Sequence, residues 1–153
     1  MPRPGTRPSR DGHPAEFDAA GSIRRSTLSI RPRYVECDPM GVVHHSVYAV
    51  WFEMGRTEML RECGGSYRAL EEQGHFLVVV DLATRFRRPA RYDDDLRLET
   101  HLIEGTRARF RHGYHLVAST GELLASATST IACIDAEGAL RPIPAEVTAL
   151  ADG

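Results

Sequence analysis

Apolar residues recur with period two over residues 26–33, where Leu28 and Ile30 share a face, and this predicts a strand. Pro32 confines that strand to a sheet edge or marks its end. From residue 46 to about residue 63 the period turns helical. Its first two turns (Val47, Tyr48, Ala49, Val50, Trp51, Phe52, Met54) are apolar nearly all round, and Arg56, Glu58, Arg61 and Glu62 supply polarity only later. The pattern predicts a helix buried at its start and surfacing at its end, stopped by Gly64-Gly65. Four more strands are expected. Residues 76–88 carry the run Phe-Leu-Val-Val-Val, and in 95–104 Leu96, Leu98, Thr100 and Leu102 alternate with Arg97, Glu99 and His101. Residues 107–119 set Ala108, Phe110, Tyr114 and Leu116 against Arg109, Arg111 and His115, and residues 123–135 come last. Glu104-Gly105-Thr106 and Ser119-Thr120-Gly121 read as hairpin turns. One strand, one long helix and an antiparallel meander describe an α+β fold, with a curved sheet wrapped around the helix.

Composition adds the boundaries. Residues 1–24 contain Pro2, Pro4, Gly5, Pro8, Gly12, Pro14 and Gly21 and have almost nothing to bury, so a disordered tail is expected there. The folded domain is expected over residues 25–140, with a second tail over 141–153. A net charge of -2 and an isoelectric point near 6.4 give nucleic acid no bulk electrostatic hold. Every basic residue is arginine, which excludes lysine Schiff-base and P-loop chemistry. Cys37, Cys63 and Cys133 are odd in number and form no C-x-x-C pair, against a disulfide framework or a cysteine-rich metal site. No apolar run approaches the roughly 20 residues of a membrane span, and no secretory apolar segment opens the chain. A cytoplasmic protein is expected.

The chemistry concentrates in residues 34–48, Tyr-Val-Glu-Cys-Asp-Pro-Met-Gly-Val-Val-His-His-Ser-Val-Tyr. Asp38 ahead of Pro39 serves equally as a turn former. With Ser46 as helix cap, however, the free amides of the first turn and the positive dipole end point back at this loop. A carbonyl oxygen there is polarised, and Asp38 on its other face is placed to attack it or to activate water. His44 and His45 adjoin the helix start, where loop polarity or capping would also account for them. They point apart and lack a third ligand at the usual spacing, so no metal is expected. Cys37 is a possible nucleophile or simply a small packed thiol. Tyr34 is a possible site residue or a packed aromatic, and Gly41 supplies a turn with positive φ. Arg85, Arg87, Arg88 and Arg91 form either a solvated surface or a phosphate-binding cluster. There is no G-x-S-x-G, G-x-G-x-x-G or P-loop motif.

Residues 34–48, followed by Trp51-Phe52-Glu53 and Arg56, resemble the signature of the hotdog-fold acyl-CoA thioesterases. The branch is that of 4-hydroxybenzoyl-CoA thioesterase and the Tol–Pal-associated enzymes. Pro89-Ala90-Arg91-Tyr92-Asp93-Asp94, with Leu96 and Leu98-Glu99-Thr100, is similar to that family's second segment. The resemblance covers residues 26–136. It implies a five- or six-stranded antiparallel sheet around the helix, and a homodimer or homotetramer whose active sites lie between subunits. It implies an acyl-CoA substrate and no cofactor. By the same resemblance Asp38 is the catalytic carboxylate, His45 the residue whose backbone N–H polarises the thioester carbonyl, and Tyr34 a supporting residue. Gly41, His44, Val80 and Arg88 are the candidate substrate-binding residues. Glu36 stands where many members have aspartate, and His44 where they have an aromatic residue. An enoyl-thioester hydratase or dehydratase, and a non-catalytic acyl-CoA-binding protein, are the alternatives within the fold.

Overall fold

A computed structural model describes residues 12–148. Five strands form one antiparallel sheet: β1 (Arg24–Ile30), β2 (Phe76–Phe86), β3 (Leu96–Gly105), β4 (Arg109–Ala118) and β5 (Leu123–Ile134), in the order β1-β3-β4-β5-β2. Helix α1 (His45–Glu62) lies in the concave face, and two short helices, α2 (Tyr67–Glu72) and α3 (Ala145–Thr148), follow it along the chain. The meander is therefore β3-β4-β5 alone. β2 precedes it in sequence but pairs with β5, from Phe76 opposite Ile134 to Phe86 opposite Ala125, at the far edge. Residues 87–95 cross from that edge back towards β3, which pairs with β1 at the other edge. Hydrophobic periodicity identifies strands but does not order them, since a nine-residue connection also reaches across a sheet.

Helix α1 buries a continuous stripe: Tyr48, Trp51, Phe52, Gly55, Arg56, Met59 and Leu60. This is the i, i+3, i+4, i+7 repeat of an amphipathic helix, carried along its full length. Burial at one end alone was the expectation from sequence. Instead Val50 and Met54, on the early apolar turns, stand 54% and 43% exposed. The helix is close to the sheet at Gly55, where an added Cβ would lie 2.2 Å from Thr100 Oγ1 and 2.9 Å from a Leu98 methyl. Its end is a Schellman arrangement. Gly64 has φ +81, its N–H donates to Arg61 O, and Gly65 N–H donates to Leu60 O. The N-terminal cap is His44 rather than Ser46, because imidazole Nδ1 accepts from the Ser46 amide at 3.2 Å. An imidazole acceptor does the work of the usual hydroxyl.

Both expected tails are partly folded. Residues 1–11 and 149–153 lie outside the described residues. Residues 13–23, however, cross the outer face of the sheet. There Thr128 Oγ1 donates to Pro14 O, Ser126 Oγ donates to Glu16, and Ile23 N–H donates to Leu102 O. Glu16 pairs with both Arg85 and Arg87. Phe17 lies on Gly113 and stacks on His115 with centroids 4.4 Å apart. At the other end Ile143 and Val147 are buried against Met59, Leu60, Leu102, Phe110 and Cys133. Polar segments dock because single apolar residues and matched hydrogen bonds anchor them, a signal that composition averages away.

Candidate functional site

The loop of residues 34–43 and the crossover of residues 87–95 meet at the start of α1. Val43 N–H donates to Ala90 O at 2.8 Å, and Val42 bridges Arg91. Asp38 sits in a turn closed by its own backbone, with Asp38 N–H to Val42 O at 2.8 Å and Gly41 N–H to Asp38 O at 2.9 Å. Gly41 has φ +78, a conformation in which most side chains are strained. Asp38 Oδ1 accepts from Met40 N–H at 2.9 Å and Val42 N–H at 3.4 Å, which fixes the carboxylate, and no hydrogen bond among the described residues engages Oδ2.

Asp38 and His45 line one cleft of about 300 Å³ together with Val42, Val43, Tyr48, Phe86, Arg87, Arg88 and Pro89. At the helix start, the Ser46 amide is held by the His44 ring and the Val47 amide by His44 O. The N–H of His45, the first helical residue, takes no partner among the described residues. The residue that carries this orphan donor, at the positive end of an 18-residue helix, thus lines the same cleft as the carboxylate. Tyr48 is buried behind it, edge-on to Phe86 at 4.9 Å. Burial raises the Tyr48 phenol's pKa, and the Ala90 amide only partly offsets this, so the group stays a neutral hydroxyl.

The other predicted site residues divide. Arg88 lines the cleft and pairs with Glu122 at 3.6 Å. His44 caps the helix and lies 4.0 Å from the His45 ring, centroid to centroid. Tyr34 does not line the cleft; it is 80% exposed and rests edge-on against Tyr92. Val80 is also outside the cleft, half-exposed at a bulge in β2. Cys37 is likewise absent from the cleft lining, and its Sγ approaches the Arg33 carbonyl at 3.7 Å.

Glu36, noted in the sequence only as a departure, is a buried tether. It accepts from Arg33 N–H at 2.7 Å and from the Trp51 indole at 3.2 Å, and it meets the Arg33 guanidinium at 3.2 Å. Burial alone would raise its pKa, but these hydrogen bonds and the arginine charge outweigh that, and the carboxylate is held below its ordinary range. It locks the Asp38 loop onto the second turn of α1. The pairing with Trp51, fifteen residues away, had no sequence signal.

Fold and cleft together define the class: a five-stranded hotdog with a carboxylate opposite the start of its central helix. The profile of the thioesterase-like superfamily matches residues 32–150. YneP of Bacillus subtilis is 35% identical over 118 residues, covering 77% of this chain and 85% of that protein. The acyl-CoA thioesterase YbgC of Haemophilus influenzae is 37% identical over 126 residues, covering 80% and 91%. Among solved structures, a DHNA-CoA thioesterase from Staphylococcus aureus superimposes with a TM-score of 0.72 at 32% identity, covering 78% of this chain and 79% of that one. The chain belongs to the thioesterase-like superfamily, and it is a thioester hydrolase with the hotdog fold.

Proposed function

We propose that this enzyme hydrolyses an acyl-CoA to the free acid and CoA, with Asp38 as its catalytic carboxylate and the His45 N–H as its oxyanion donor. The observation that carries this reading is that Asp38 lines the same cleft as His45, the residue that holds the unpartnered first amide of α1. The thioester carbonyl lies with its oxygen at the helix start, and Asp38 attacks the carbonyl carbon or takes a proton from the attacking water. Charge developing on oxygen is met by the amide and the helix dipole. The departing thiol has a pKa of about 8.5, so it leaves as thiolate without a dedicated acid. The arginines at the cleft mouth, Arg87 and Arg88, suit the phosphates of CoA. The histidine at the helix start, His45, supports reading the chain as one of the Tol–Pal-associated group.

The active unit is a dimer. β2 is an edge strand on which Val79, Val80, Leu82 and Phe86 are 40–52% exposed, and an uncovered apolar edge of this kind suits pairing with a second copy. In that arrangement Tyr34 and Val80, which lie outside the cleft of one chain, become available to the site of its neighbour.

The test is thiol release from a panel of short aliphatic, aromatic and naphthoyl CoA thioesters, with Asp38→Asn alongside. Loss of the carboxylate lowers kcat about 10²–10⁴-fold with CoA binding retained. Turnover by that variant near the wild-type rate refutes the assignment. Binding without release by the wild type makes the protein an acyl-CoA carrier instead.

A further inference from the structure

Beneath the N-terminal segment, on the face of the sheet opposite α1, lies a group of side chains that thioester hydrolysis does not use. Glu99 and His101 project from β3 on that face, and His115 of β4 pairs directly with Glu99. One ligand atom from each of the three lies within 4.8 Å of the other two.

His101 is 2% exposed, and its hydrogen bonds determine its tautomer. Nδ1 lies 2.9 Å from Ser22 Oγ, and that hydroxyl gives its own hydrogen to Ala19 O at 2.7 Å. Ser22 Oγ is therefore the acceptor, Nδ1 carries the proton, and Nε2 presents a bare lone pair. Nε2 has no hydrogen-bond partner. It faces Glu99 Oε2 at 3.8 Å, while Arg97 engages only the other carboxylate oxygen, at 2.9 and 3.1 Å. A lone pair buried against a carboxylate oxygen is a repulsive contact unless a cation lies between them. An imidazole fixed through Nδ1–H, with Nε2 aimed at a carboxylate and a second imidazole, is the second-shell arrangement of metal-binding histidine. Phe17 closes the group, stacked on His115 and 5.2 Å from the His101 ring. Its place exists because residue 113 is glycine; a Cβ there would lie 2.7 Å from the phenyl ring.

We propose that Glu99, His101 and His115 form a site for one first-row divalent cation, zinc by its two-nitrogen, one-oxygen donor set, which clips the N-terminal segment to the back of the sheet. Zinc bonds of about 2.0–2.2 Å set the donors roughly 3.4 Å apart, so side-chain shifts of about 1 Å complete the site. The metal reaches the segment through His101, whose Nδ1–H holds Ser22, and through His115, on which Phe17 stacks.

The test uses the full chain without an affinity tag, stripped with chelator and dialysed against micromolar zinc chloride. Metal content is read by mass spectrometry, and hydrogen exchange is followed over residues 13–23. The expected result is one zinc per chain, slower exchange in that segment and a Tm that rises with zinc concentration. His115→Gln and Glu99→Gln change partly exposed side chains, and circular dichroism verifies their fold; each should lower zinc affinity at least tenfold. Absence of zinc from the wild type overturns the site, and so does zinc content unchanged in both variants. Bound zinc that leaves exchange in residues 13–23 unaltered overturns the clip.

Discussion

At the residue scale, several polar side chains act from within the core. His112 is buried under α1 beside Arg56, and its Nδ1 has no partner. Arg56 donates to Tyr114, whose hydroxyl lies 2.6 Å from Ser129 Oγ. Burial, with the Arg56 charge added, lowers the His112 pKa to about 3. The unfolded chain binds this proton near pH 6.5 while the native state refuses it, so between pH 6.5 and 3 the unfolded state holds more protons. Stability therefore falls as pH falls through that window, by up to about 1.4 kcal/mol per pH unit from this one group. Urea midpoints should drop between pH 7 and pH 4.5, and His112→Asn should flatten the slope. An unchanged slope in that variant would remove His112 as its source. Of the seven histidines, the sequence drew attention to His44 and His45. The alternation that marks β3 and β4 put His101 and His115 on a wetted face, because the segment that covers that face reads as tail.

At the scale of elements, the contact between α1 and β3 is set by Gly55. An alanine there improves helix propensity by about 1 kcal/mol in isolation. In this helix its methyl would overlap Thr100 Oγ1, and the strand or the helix must move. Gly55→Ala should therefore destabilise the protein by about 1–3 kcal/mol, seen as a lower urea midpoint with unchanged slope. Stabilisation by this substitution would mean the helix stands off from the sheet. The pattern of Tyr48, Trp51, Phe52, Met59 and Leu60 made the helix legible from sequence, and period two did the same for the strands. Helix α2 was missed because six residues give too short a window, although Ser66 caps it at the Ala69 amide. The place of β2 was missed because strand order is decided by where Phe76 to Phe86 find partners. Alternation is blind to that choice. Asp38, Gly41 and the helix start were legible because a turn, an acid and a cap must be neighbours in sequence to work together. Phe86, Arg87 and Pro89 reach the same cleft from forty residues away; the arginine cluster and the Pro89 segment stand out in the sequence, but no local pattern ties them to Asp38.

For the whole molecule, the apolar surface left on one chain carries the functional argument. Val79, Val80, Leu82 and Phe86 on β2 and Val50 and Met54 on α1 stay exposed in the single chain, although the concave face is otherwise well filled. A strand edge with unpaired backbone groups and apolar side chains invites association, and here nothing in the described chain covers it. Pairing two β2 strands extends the sheet across both copies, and Phe86 links that edge to the cleft because it lines both. Val80→Arg places a charge at the bulge of this edge without touching Asp38, His45 or the core. It should convert the proposed dimer to monomer in light scattering, with circular dichroism unchanged. Activity should fall with the dimer fraction and recover as protein concentration is raised. Monomers as active as the wild type would show that one chain holds a complete site, and an unchanged mass would place the interface elsewhere.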